Sequence, residues 1–131
     1  MRNYNLNFIS NEDLYKHTKI TVDKYRFQID LARFNKNLID PIKLTFDSKV
    51  YNNDIRSVIE SEIVRQMDKS NTNHIGYFHQ NIFNYIGDGW SVPKKGYDIV
   101  NDANNYCVEM KNKHNTMNSS SSQKTYMRMQ Y

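Results

Sequence analysis

Apolar side chains recur at helical spacing in the middle of the chain and predict two successive helices there. The first runs from about Asn53 to Met67, with Asn53 placed as its N-cap. A helical wheel at about 100° per residue puts its apolar residues on one face: Ile55, Val58, Ile59 and Ile63. The second runs from about Asn73 to Ile86, where Gly87 is suited to end it.

The first 40 residues mix two periods. Three residues alternate as in a short strand: Tyr4, Leu6 and Phe8. Asn11 then opens a segment that we expect to run as an irregular helix toward Phe34. Asp40 and Pro41 form a break, because proline restrains the preceding residue to extended geometry and suits the first turn of a helix.

After Gly87 the pattern changes to short β-like runs, from Trp90 to Pro93, from Gly96 to Asn101 and from Asn105 to Lys111. Residues 102–104 separate the last two runs as a tight turn, so we expect an antiparallel meander. The run from Ser119 to Ser122 is interpreted as a loop, and residues 122–131 as the start of a further helix.

Composition narrows the class of protein. The chain has 131 residues, enough for one domain, and its 38% hydrophobic and 24% charged residues are typical of a folding chain. Cys107 is its only cysteine, which excludes an intramolecular disulfide and a cysteine-rich zinc site. No apolar stretch is long enough to span a bilayer, and no signal region follows the first residues. We therefore expect a soluble, cytoplasmic protein with no membrane partner.

The positive charge is concentrated toward the C-terminal part. The net charge is +4, and the segment from Lys94 to Arg128 holds six basic and three acidic residues, or +3 of that total. We expect a polyanion to bind there.

Three residues of the predicted meander suggest chemistry. Side chains two apart on a strand share a face, so Glu109 and Lys111 lie side by side, and the hairpin can bring Asp98 next to Glu109. Mg²⁺ prefers one or two carboxylates together with phosphate oxygens and water, and the carbonyl of Met110 can add an oxygen. Lys111 can position a water or stabilise charge on the phosphate. The trio indicates metal-dependent phosphodiester hydrolysis, and the alternative is a solvated strand face with a cross-strand partner.

Glu62 falls inside the apolar face of the first predicted helix and therefore points inward. Two interpretations remain open at this residue. It could add a metal ligand or hold a second metal, or it could be a helix-edge carboxylate paired with a base such as Arg65 or Arg56.

The polar run that follows Lys111 lies close enough to reach phosphates or base edges near a cut site. We select five candidate DNA-binding residues: Lys113, His114, Asn115, Asn118 and Lys124. From residue chemistry alone, a hydrophilic loop is the more common explanation of such a run.

Asp98 with Glu109-x-Lys111 resembles the PD-(D/E)xK nuclease signature, although Tyr97 stands where that motif has proline. Three longer segments are more specific: residues 75–87, 89–101 and 106–130 closely resemble type II restriction endonucleases of the SinI and AvaII kind, which cut GGNCC or GGWCC sequences. The resemblance implies Mg²⁺-dependent, site-specific cleavage of double-stranded DNA. Asp98 and Glu109 would be the metal carboxylates and Lys111 the catalytic lysine, with a looser match for Glu62.

The same resemblance implies partners. A palindromic target implies a two-fold symmetric homodimer, and a restriction–modification system implies a cognate DNA methyltransferase that protects host DNA.

The implied fold is an α/β restriction-endonuclease-like core, a mixed sheet flanked by helices in the order αβββαβ. We expect a single partial domain over residues 1–131, with a helical part at about 11–86, a catalytic β-meander at about 88–118 and the start of a helix at 122–131. The last core strand lies beyond this sequence, so the chain is interpreted as a C-terminally truncated endonuclease. We expect it to be poorly stable alone, with no cooperative melt above about 45 °C.

Two functions therefore follow from the sequence. The first is a DNA-cleaving restriction enzyme with Asp98, Glu109 and Lys111 as its active site. The second is a catalytically silent fragment that binds DNA non-specifically through its basic C-terminal segment.

Overall fold

The computed structural model describes residues 3–37, 39–111 and 117–129. Within these ranges the chain forms helices followed by a small sheet and a last helix. The helices are α1 (Asn11–Asp23), α2 (Leu31–Lys36), α3 (Pro41–Val50), α4 (Ile55–Asn81) and α5 (Ser119–Met129). The strands are β1 (Trp90–Ser91), β2 (Ile99–Asn101) and β3 (Tyr106–Val108), and short 3-10 helices cover Ile82–Tyr85 and Asp102–Asn104.

The chain divides into two compact units. One spans Thr21–Ile75, and the other combines the described residues before and after it. None of the described helices is long and apolar enough to cross a membrane.

In the unit Thr21–Ile75, the predicted break at Asp40 and Pro41 is confirmed. Asp40 is the N-cap of α3 and Pro41 its first residue. The Asp40 carboxylate accepts hydrogen bonds from the backbone N–H groups of Ile42 (2.9 Å) and Lys43 (3.2 Å). These bonds satisfy donors that the first turn of a helix leaves without a partner, so the helix begins here.

The helices predicted over 53–67 and 73–86 are confirmed as helical for most of their length, but the interruption between them is wrong, because α4 is continuous from Ile55 to Asn81. Asn71, in the predicted gap between the two helices, lies within α4 and uses its side chain for tertiary contacts. Its amide accepts from the backbone N–H of Arg26 (2.9 Å) and donates to the carbonyl of the same residue (3.2 Å). No proline interrupts the segment, so the helical ladder continues.

The predicted cap of α4 is also wrong by one residue. Asp54, not Asn53, accepts from the Ser57 backbone N–H (3.1 Å) and from the Ser57 hydroxyl (2.7 Å). The hydroxyl bond and then the backbone bond lower the pKa of Asp54. Asn53 is instead held in the preceding turn, where its carbonyl accepts from the Ser48 hydroxyl.

In the other unit, the strand predicted over residues 4–8 is not present. Asn5 adopts a left-handed conformation (φ 52°), which breaks the alternation of faces that a strand needs. Ser10 caps the N-terminus of α1, since its hydroxyl accepts from the Asp13 backbone N–H (3.0 Å) and donates to the Asp13 carboxylate (2.7 Å). The helix ends at Asp23 and does not extend toward Phe34.

The C-terminal end of α4 packs against α1 through His17. This residue is buried, and its ring stacks on Phe78 at a centroid distance of 4.5 Å. Its Nε2 donates a hydrogen bond to the carbonyl of Phe78 (2.8 Å). A polar ring is therefore accommodated in this part of the core because its N–H is satisfied.

The predicted antiparallel meander is confirmed, with shorter strands than expected. The sheet has the order β1-β2-β3 and both pairs are antiparallel. The described sheet therefore contains no parallel pair, unlike the mixed sheet that was predicted. The combination of helices and this sheet is compatible with a restriction-endonuclease-like α/β fold.

Two fully buried side chains, Ile99 and Asn101, fix the central strand β2. The Asn101 amide donates to the carbonyl of Asp88 (2.8 Å), and its oxygen accepts from the backbone N–H (3.1 Å) and amide (3.2 Å) of Asn104. Asn105 closes the turn in a left-handed conformation (φ 54°). The hairpin is thus held by one buried amide and by an asparagine at its end, a residue type that tolerates the left-handed conformation.

The last described helix, α5, begins at Ser119 and not at 122. The amide oxygen of Asn118 accepts from the Ser121 backbone N–H at 2.8 Å and so acts as the N-cap. The interpretation of residues 119–122 as a loop is therefore wrong, because serine is well suited to the first turn of a capped helix.

Candidate active site

The hairpin of β2 and β3 brings Asp98 and Glu109 to the same end of the sheet. Asp98 directly precedes β2 and Glu109 directly follows β3. The last registered pair is Ile99 with Val108, so the next position outward sets Asp98 opposite Glu109. The Asp98 Oδ2 accepts from the backbone N–H of Met110 at 2.8 Å, which ties the two chain segments together beyond the strands.

Lys111 lies against the second carboxylate. Its Nζ is 2.5 Å from Glu109 Oε1, as expected for residues two apart on an extended chain. The Glu109 side chain is only 16% exposed, whereas that of Lys111 is 37% exposed. A largely buried carboxylate needs a charged partner, and Lys111 is the nearer of the two cations that face Glu109.

A second cation, Arg128 of α5, also faces this carboxylate. Its Nη1 is 4.0 Å from Glu109 Oε2 and donates to the Gly96 carbonyl at 3.3 Å. The Tyr97 hydroxyl in turn donates to the carbonyl of Arg128 at 2.5 Å. Sequence analysis missed Arg128 as a site residue; its only signal was its place among the basic residues of the C-terminal segment.

The donor set fits a hard divalent cation. Among residues 3–37, 39–111 and 117–129, no three His, Cys, Asp or Glu side chains form a metal-binding group. A magnesium site does not need three, because one or two carboxylates plus phosphate and water oxygens satisfy the ion. Asp98 and Glu109 supply two such carboxylates, and the remaining positions would then be open to substrate.

Glu62, on α4, lies in the unit Thr21–Ile75 and binds a neighbouring arginine. Arg65 reaches its two carboxylate oxygens through Nε (2.5 Å) and Nη2 (2.6 Å), and Gln66 donates a further bond at 3.0 Å. Arg56 instead pairs with Glu60. Of the alternatives left open by the sequence, the structure therefore shows the ion pair with Arg65.

This pairing makes stability depend on pH. The Arg65 hydrogen bonds hold the pKa of Glu62 below its ordinary value. The stabilisation is therefore complete above the unfolded pKa, about 4.3, and is lost as pH falls through the lower folded value. We expect Glu62→Gln to lower the free energy of unfolding by about 1 kcal/mol at about pH 7, with the difference shrinking toward about pH 3.

Urea unfolding followed by circular dichroism at both pH values measures this difference. Glu60→Gln is the matched control, because the Glu60 side chain is 61% exposed in its pair with Arg56. An effect of Glu62→Gln that stays constant with pH would contradict the assignment.

The candidate DNA-binding residues divide into two groups. Lys113, His114 and Asn115 lie outside the described residues. Asn118 caps α5, and Lys124 is exposed on that helix. A DNA contact by Asn118 would thus have to be compatible with its capping bond.

Comparison with known proteins identifies the family. The family described as Eco47II restriction endonuclease matches residues 6–131. The chain is 37% identical to the type II restriction enzyme Sau96I of Staphylococcus aureus over 122 residues, covering 89% of this chain and 46% of that protein. It is 32% identical to the type II restriction enzyme Eco47II of Escherichia coli over 116 residues, covering 86% and 48%.

The chain spans about half the length of these two curated relatives. No solved structure matches it. The family match extends from α1 through the strands that carry Asp98 and Glu109 to α5. On this evidence the chain belongs to the Eco47II restriction endonuclease family.

Proposed function

We propose that this chain carries the active site of a type II site-specific deoxyribonuclease that hydrolyses phosphodiester bonds of double-stranded DNA with Mg²⁺. The proposal rests on the hydrogen bond from the Met110 backbone N–H to the Asp98 carboxylate, which brings Asp98 beside the segment that carries Glu109, and on the contact of Lys111 with the Glu109 carboxylate. Two curated relatives named as type II restriction enzymes support the same reaction class. The proposal follows the PD-(D/E)xK signature that the sequence resembles.

Each residue has a distinct task in this proposal. Asp98 and Glu109 would hold Mg²⁺, which when bound polarises the scissile phosphate and lowers the pKa of a water. Lys111 has three N–H donors and uses one in a hydrogen bond to Glu109, so the other two can orient the attacking water and stabilise negative charge on the phosphate. Glu62 would add a ligand only if it gave up its bonds to Arg65.

The proposal also covers the DNA sequence that is cut and the proteins that act with this chain. Resemblance to the SinI and AvaII kind favours GGNCC or GGWCC sites, cut in the cytoplasm by a homodimer and protected by a cognate methyltransferase. The basic C-terminal segment would meet the DNA backbone, and the candidates there are Lys113, His114, Asn115, Asn118 and Lys124.

Plasmid cleavage tests the proposal. The 131-residue chain should cut a plasmid with GGNCC-type sites into discrete fragments in Mg²⁺ and not in EDTA. Asp98→Asn should abolish cutting, whereas Asp102→Asn, an exposed acid in the turn of the same hairpin, should not. Cleavage in EDTA, or undiminished cleavage by Asp98→Asn, would contradict the proposed site.

Two other outcomes separate the remaining possibilities. Metal-dependent cuts at unrelated sequences would overturn the specificity and leave the nuclease. DNA binding without any cleavage would favour the silent fragment.

A further inference from the structure

Arg128 lies beside the proposed active site, with its guanidinium near Glu109. We propose that Arg128 is a positioning residue that balances the charge of Glu109 in the absence of metal and is displaced from it when a divalent cation binds. This inference rests on the proposed function, because it takes Glu109 as a metal ligand.

The two oxygens of Glu109 have different partners. Oε1 is 2.5 Å from Lys111, a full charged hydrogen bond, whereas Oε2 is 4.0 Å from the guanidinium of Arg128. The Arg128 side chain is 52% exposed, and such a long, half-exposed ion pair contributes little to stability. Oε2 is therefore the oxygen of Glu109 that can exchange Arg128 for a metal ion.

Arg128 is held at the site by contacts that do not involve Glu109. The hydroxyl of Tyr97 donates to its backbone carbonyl, and its guanidinium donates to the carbonyl of Gly96. Both anchors lie just before Asp98 in the chain. The guanidinium thus stays near the carboxylates after it leaves Glu109, where a backbone phosphate could receive it.

The charges around Glu109 affect how strongly the DNA-free protein binds a metal ion. Among the described residues of the site, the carboxylates Asp98 and Glu109 are matched in number by the cations Lys111 and Arg128, and both cations lie against Glu109. A divalent cation would leave this site with an excess of positive charge that only an anion such as DNA can offset. Arg128 therefore weakens metal binding to the free protein and couples it to DNA.

Isothermal titration of Mn²⁺ into the DNA-free chain tests this inference. Arg128→Met removes the charge but keeps the backbone carbonyl that Tyr97 binds, and it should tighten Mn²⁺ binding roughly 3- to 10-fold. Arg128→Lys restores the charge and should bind Mn²⁺ like the unmodified chain. Unchanged or weaker Mn²⁺ binding by Arg128→Met would overturn the inference. That result is expected if Arg128 has only a structural role.

Two further measurements make the outcome decisive. Arg128→Gln repeats the test if the methionine variant does not fold, as judged by circular dichroism. Asp98→Asn should weaken Mn²⁺ binding; if it does not, the proposed site fails and the inference with it. If Asp98→Asn weakens binding and Arg128→Met does not tighten it, only the inference fails.

Discussion

Lys111→Ala is expected to lower the rate of Mg²⁺-dependent DNA cleavage by on the order of 10²- to 10³-fold. Its ammonium contacts Glu109 while its own side chain is 37% exposed, so the substitution removes a charge from the site and little from the core. The loss should appear in the single-turnover rate on a plasmid with GGNCC-type sites.

Two controls separate this effect from indirect ones. Lys49→Ala removes an exposed lysine from α3, outside the basic C-terminal segment, and should cut at the unmodified rate. Mn²⁺ binding by Lys111→Ala should persist, because both carboxylates remain. Cleavage by Lys111→Ala within a few-fold of the unmodified chain would exclude the lysine from the chemistry.

Ile99→Ala is expected to cost about 2–5 kcal/mol of unfolding free energy. Ile99 is fully buried in the middle strand and pairs with Val108, one position inside the two carboxylates. The cavity left by its side chain would loosen the strand that places Asp98, so cleavage should fall together with stability. Urea unfolding followed by the fluorescence of Trp90, the only tryptophan and a residue of β1, reports on this sheet directly.

Ile20→Ala makes the same chemical change at a site that is 52% exposed in α1 of the same unit. It should cost less than about 1 kcal/mol, because less apolar area leaves contact with the protein. Equal urea midpoints for the two variants would show that β2 does not depend on the buried side chain.

The part of the site that sequence could predict is the part governed by local rules. The alternation of faces along a strand placed Lys111 next to Glu109, and the contact is observed. The tight turn at residues 102–104 implied the hairpin, and the register sets Asp98 opposite Glu109. Short runs with turn residues between them leave few other ways to pair.

The wrong or missing predictions concern residues whose conformation or partners are set by tertiary contacts. Asn71 carries a side chain typical of loops, yet its bonds to Arg26 keep it inside α4. Arg128 meets Glu109 from 19 residues further along the chain, and no periodic pattern encodes such an approach. The ion pair of Glu62 with Arg65 was predictable as one of two options, since residues three apart on a helix are neighbours.

The number of residues in the hairpin turn is constrained by the residues that it places opposite each other. Directly opposed residues of an antiparallel pair share a face, and Asp98 meets Glu109 only because of the number of residues between the strands. Deleting one turn residue would set Asp98 opposite Met110 and bring Glu109 onto the buried face of Ile99. We therefore expect the length of this turn to be constrained together with the proposed catalytic pair, so that loop length in related sequences becomes a marker of that pair.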